Sequence, residues 1–314
     1  MTGEELICLL NQAYCRSDIV GTIENGVIIA YDLEGRFFTV VNDQVISKVN
    51  SSAILKRSNK TAFQNPGGDV LWPAPEGTCF GYEYSTGNWR VPPSITGAVW
   101  EKLSYSGNEC IIRVEVDLIN NIQVGIPCEF ERHIAIDQKE NMFIQKVKEV
   151  IRYIGKRTLN RTEFSLAPWS LCQLDSTKAG KIIMPVPPNK EDIWDIYADS
   201  EKQRNVEGEL YVIETETPER FQLGLSEHIP WIEYQHEDGY SVKRYVQPLS
   251  NGQKHIDISD ISPDIPPSDR KTSLSIYCNP SGFVEIEACG GCTETLVTGT
   301  ELVMDVVTEF KIGM

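Results

Sequence analysis

The segment Asn65-Pro66-Gly67-Gly68-Asp69-Val70-Leu71-Trp72-Pro73-Ala74-Pro75-Glu76 sets a glycine pair, a proline-fenced tryptophan and two carboxylates close together. These residue types suit carbohydrate chemistry. An indole covers the apolar C–H face of a pyranose, while Asp69 and Glu76 accept hydrogen bonds from its hydroxyls. Proline lacks an amide donor and fixes φ, so a rigid loop at a strand end is expected here rather than a helix. The competing reading is a buried plug in which Trp72 fills a core gap.

Other residues fit the same chemistry. Trp169 and Gln173 fall on one face of a single strand, which gives an aromatic platform and an amide that both donates and accepts. The plainer reading is a core tryptophan with a capping glutamine. Glu285 and Glu287 lie two apart and also share a strand face, where they are either inward carboxylates or merely hydrated ones. Lys243-Arg244 offers one inward cation whichever way its strand lies. His228, just before Ile229-Pro230-Trp231, sits in a constrained aromatic loop of the kind that rims sugar clefts. The other three histidines, His133, His236 and His255, read as surface or structural residues.

Several chemistries are disfavoured. Cys289-Gly290-Gly291-Cys292 has no second CxxC to complete a zinc site, so a tight turn between strands is expected. No histidine pair has metal-ligand spacing, and neither a metal nor another cofactor is expected. Phosphate-loop and nucleophile-elbow signatures are absent.

The ordered strings Gly67-Gly68-x-x-Leu71-Trp72-Pro73-Ala74-Pro75-Glu76, Ala167-Pro168-Trp169-Ser170-x-x-Gln173 and Glu285-x-Glu287 resemble an uncharacterised branch of the galactose-mutarotase-like (aldose 1-epimerase) superfamily. The resemblance spans residues 20–312 and implies an all-β, mainly antiparallel supersandwich with few short helices. It further implies a site in which a carboxylate takes the anomeric proton while an imidazolium protonates the ring oxygen. Glu287, nearer the strand end, and Glu285 are the candidates for the base, and Lys243 matches a lysine of the resembling branch. The chain departs from the pattern in two places. No histidine stands near Trp169–Gln173, and Asp69 and Val70 replace the His and Arg common after the glycine pair. Two functions are therefore weighed: a carbohydrate-binding protein with aldose epimerase activity, and the same fold retaining only binding. A structural or assembly subunit that uses the sandwich face as a protein interface is the alternative.

The elements that must position these residues read as strands. Gly26–Tyr31 and Arg36–Val41 are β-branched and aromatic runs joined by a hairpin-like Asp32–Gly35. Ile112, Val114 and Val116 alternate with charged neighbours, as in a half-buried strand. Leu210–Ile213, Ser241–Val246, Ser273–Tyr277, Phe283–Ile286 and Leu302–Phe310 read similarly, and Glu4–Tyr14 suits a short helix. Phe143, Val147, Val150, Ile151 and Ile154 have helical spacing, yet the resemblance favours a strand, and a strand is expected. No linker divides residues 1–314, which read as a single domain.

With 45 acidic against 29 basic residues the net charge is −16, which repels phosphate backbones and anionic surfaces. Nucleic-acid and membrane partners are not expected; a neutral sugar or glycan is. The nine cysteines are irregular and odd in number, and the N-terminus lacks a basic region before its apolar stretch. Both suit reduced thiols in a cytoplasmic protein.

Overall fold

The computed structural model describes residues 1–58, 63–82, 91–250 and 252–313. Two ten-stranded sheets dominate it. The centre of the first runs, neighbour to neighbour, through Arg36–Val41, Asp69–Ala74, Ala167–Asp175, Phe283–Cys289, Leu274–Asn279 and Phe221–Leu225. The centre of the second runs through Ile232–His236, Tyr240–Val246, Glu301–Ile312, Met142–Tyr153, Gly125–Lys139 and Glu109–Ile119. Helices are short: Gly3–Gln12 is the longest among the described residues. It starts from a reciprocal cap between Thr2 and Glu5 and buries Leu6 and Leu10 in a cluster with Ile28 and Phe38.

The Met142–Tyr153 segment is a strand. Its helical spacing gives way because Lys146 and Lys148 are exposed at alternate positions while Gln145, Val147 and Glu149 are buried between them. The Asn65–Glu76 segment departs from the expected loop. Asp69–Ala74 is a central strand buried at every position. Pro73 lies opposite Pro168 in the register, so the two missing N–H donors fall at one rung of the ladder, and the Pro168 carbonyl accepts the Gly290 N–H at 2.7 Å. The loop character is confined to residues 65–68 before the strand and Pro75-Glu76 after it. Gly67 has φ +89°, and a Cβ there would lie 2.0 Å from the Lys48 carbonyl oxygen, so the backbone passes too closely for a side chain.

Parity divides the first sheet into two faces. One packs on the second sheet across a hydrophobic core and a buried ionic cluster. Arg132 lies 2.5 Å from Asp69 and 2.7 Å from Glu149, and Arg244 donates to Asp69 at 2.8 Å and to the Ser170 hydroxyl at 2.5 Å. Each of these side chains is essentially inaccessible to solvent, so their charges are tolerable only as a mutually paired set. The opposite face of the sheet carries the candidate site.

Candidate functional site

The register assembles the site floor. Leu171 lies opposite Glu287, Gln173 opposite Glu285, and Trp169 opposite Trp72. On the other flank Ser275 faces Glu287, and Tyr277 faces both Glu285 and Gln222. These alternate positions project to one side of five adjacent strands. There all of them but Gln173 and Ser275 line a pocket of about 200 Å³ together with Glu76, Tyr197, Arg220 and Asp260. The space suits one small ring rather than a chain.

The two tryptophans meet edge to face, with ring centroids 6.3 Å apart. Trp72 donates its indole N–H to Glu34 Oε2 at 3.2 Å, and Arg36 pairs with the same oxygen at 2.8 Å. Trp169 instead donates to Glu287 Oε2 at 3.0 Å. The Gln222 amide reaches both oxygens of Glu287, at 3.3 and 3.1 Å. Glu285 receives Gln173 Nε2 at 2.5 Å. Both carboxyls are buried, at 7% exposure for Glu285 and 1% for Glu287.

Burial disfavours charge on both groups. It pushes Glu287 up to about 7, against the hydrogen bonds from Ser275, Trp169 and Gln222 that favour its ionised form. Glu285 is pushed well above its ordinary range, first by burial and then by the adjacent Glu287 charge. At the pocket's far end the Tyr197 hydroxyl lies 3.2 Å from Glu76 and 3.4 Å from Asp260, under the Arg220 guanidinium. The Tyr197 phenol is raised by burial and then by those two carboxylates. The site therefore holds one carboxylate well furnished with donors, one carboxyl inclined to keep its proton, and aromatic walls.

Trp72, Glu76, Trp169, Glu285 and Glu287 thus come together, and Gln173 does not line the pocket but bonds Glu285 from the neighbouring strand. Three other candidates do not reach the pocket, which corrects the expectation of a shared cleft. Asp69 has the opposite parity to Trp72 and is committed to Arg132 and Arg244 between the sheets. In the Lys243-Arg244 pair the inward cation is Arg244, while Lys243 lies 3.9 Å over the Trp231 ring on the other face of its strand. His228 binds Asp192 Oδ1 at 2.7 Å, and its side chain is 60% exposed. Gly290 and Gly291 carry the chain from the strand end at Cys289 to Cys292, both of them buried free thiols.

Sequence reasoning missed Tyr197, Arg220, Gln222, Asp260 and Tyr277. A signal existed for Tyr277. The Asn279-Pro280-Ser281-Gly282 turn, with Gly282 at φ +84° and the Asn279 side chain accepting the Ser281 amide, sets the hairpin register that places Tyr277 against Glu285. Tyr197 and Asp260 arrive from loops, where no periodicity exists to read.

Among the described residues no histidine lines the pocket, and no group of three or more metal-binding side chains is gathered anywhere. None of their helices is long and apolar enough to cross a membrane.

No family model matches the sequence, and no curated protein matches it. Solved structures do. The chain is similar to a galactose mutarotase-like protein from Lactobacillus casei, with TM-score 0.59 and 10% identity over 94% of this chain and 100% of that one. A putative aldose 1-epimerase from Escherichia coli K12 gives TM-score 0.56 and 8% identity over 95% and 100%. A galactose mutarotase related enzyme from Lactobacillus acidophilus gives 0.51 and 10% over 95% and 100%. Agreement along almost the whole of each chain at such low identity is agreement of fold. This chain has the galactose-mutarotase-like fold, a large antiparallel β-sandwich.

Proposed function

We propose that this protein binds a single neutral sugar in the Trp72–Trp169–Glu287 pocket and interconverts its anomers, with Glu287 as the general base. The observation that carries the reading is the pocket floor. There, a buried carboxylate near neutrality in proton affinity stands beside two indoles, in a space the size of one ring. A base of that strength removes an anomeric proton at neutral pH without being permanently protonated. The fold shared with proteins described as aldose 1-epimerase and galactose mutarotase-like supports the same reading.

The expected affinity is modest. One stacked face and a few hydrogen bonds correspond to millimolar binding, roughly 4 kcal/mol. The test is the optical rotation of freshly dissolved α-D-glucose and α-D-galactose with and without protein, alongside calorimetric titration of each equilibrated sugar. Faster decay with wild type, abolished in Glu287→Gln while heat of binding persists, is the result expected. Binding heat without acceleration reduces the function to sugar recognition. Neither signal with any hexose refutes the carbohydrate reading and favours a protein-interface role for the sandwich face.

A further inference from the structure

We infer that Glu285 is the general acid of this site, delivering its proton to the sugar ring oxygen in the place where the fold's relatives are expected to use an imidazolium. The inference rests on the sugar reading above and assigns the second half of its proton transfer.

The hydrogen bonds around the two carboxyls are unequal. Glu287 takes the Trp169 indole N–H and the Gln222 amide, and an indole nitrogen can only donate. Such partners favour a group that only accepts, so Glu287 is the ionised member. Among the described residues Glu285 has one hydrogen-bond partner, Gln173, at 2.5 Å. That separation is short for an N–H···O bond and ordinary for a carboxylic O–H···O bond. The carbonyl oxygen of the same Gln173 amide is buried and has no partner. Turning the amide over lets Glu285 donate its proton to that oxygen. The terminal atoms of an amide are assigned by their surroundings, and here the contact length favours the turned form.

The other groups facing Glu285 make poorer acids. Tyr277 stands opposite it, and burial raises that phenol. Tyr197 is raised for the same reason, and the Arg220 guanidinium is held protonated by the two phenols against its burial. A weaker acid yields its proton less readily to an ether oxygen. Arg36 nearby favours ionisation of Glu285, whereas Glu287 and Glu76 oppose it, and burial adds to their side.

The step balances without a further reactant. Glu287 takes the proton of the anomeric hydroxyl as the O–H electron pair forms the C1=O1 bond. The C1–O5 bond breaks, its pair remains on O5, and O5 takes the Glu285 proton. Rotation about C1–C2 and the reverse transfers return both protons and give the other anomer.

The test joins protonation to rate. In wild type labelled with carbon-13 at the glutamate carboxyls, one signal should remain in its protonated position at pH 7 and vanish in Glu285→Gln. Glu285→Gln should slow mutarotation about 10²–10³-fold, with sugar affinity within about threefold of wild type and the alkaline limb of the pH–rate profile lost. Glu285→Asp should recover part of the rate. Should wild type accelerate mutarotation while Glu285→Gln matches it, or should the signal be ionised at pH 7, the acid assignment falls and the sugar reading stands. Should wild type bind sugar without accelerating, the acid and base roles fall together and only recognition survives. Absence of both binding and rate overturns the site itself.

Discussion

The Trp169 indole nitrogen lies 3.0 Å from Glu287 Oε2, so one side chain both walls the pocket and holds down the proton affinity of its base. Trp169→Phe keeps an aromatic wall and removes the donor. A hydrogen bond to a charged group is worth about 1.5–3 kcal/mol, or roughly one to two pH units. The variant's acid limb in the pH–rate profile of mutarotation should therefore move upward by about that amount. An unmoved limb would show that the indole does not act on Glu287.

The raised carboxyl has a stability consequence with a definite sign. Glu287 goes from an ordinary value near 4.5 in the unfolded chain to about 7 in the fold. The folded state then binds the extra proton between those values. Its contribution is fully present below about pH 4.5 and is lost as pH rises through 7. The shift corresponds to about 3 kcal/mol. Thermal melts at pH 5 and pH 8 should show wild type losing stability toward pH 8, with Glu287→Gln losing less. Equal pH dependence in both proteins would exclude Glu287 as the source.

Two cations suggested by adjacent sequence positions should differ sharply. Arg244 is buried on Asp69, and removing it strands a charge between the sheets, at about 3–5 kcal/mol. Lys243 contributes a half-exposed contact over Trp231, worth about 0.5–1 kcal/mol. Urea unfolding of Arg244→Ala and Lys243→Ala should separate by several kcal/mol. Similar values would mean that the buried cluster does not hold the sheets together.

That pair also shows where the sequence ceases to be readable. Alternation within Tyr240–Val246 establishes that one of the two cations faces inward, but not which one. The choice depends on the register with Ile232–His236 and Glu301–Ile312, which are long-range pairings. The β-sandwich, the Glu285–Glu287 pair and the partnership of Trp169 with Gln173 were legible because each rests on the two-residue period of a strand. Asp69 was misplaced for the same kind of reason. Three residues from Trp72, it must face the other way once Asp69–Ala74 is a strand, and reading that segment as a loop hid the parity. Tyr197 and Asp260 come from loops separated from Glu285 by dozens of residues, so only the folded topology brings them to the pocket.

The most direct measurement of the central claim is a crystal structure of the protein soaked with D-glucose or D-galactose at a concentration well above the millimolar range. The sugar should lie across Trp72 and Trp169, with its anomeric hydroxyl within hydrogen-bonding distance of Glu287 and its ring oxygen toward Glu285. A pocket that stays empty at saturating sugar, or a sugar bound elsewhere with Glu285 and Glu287 untouched, would contradict the account.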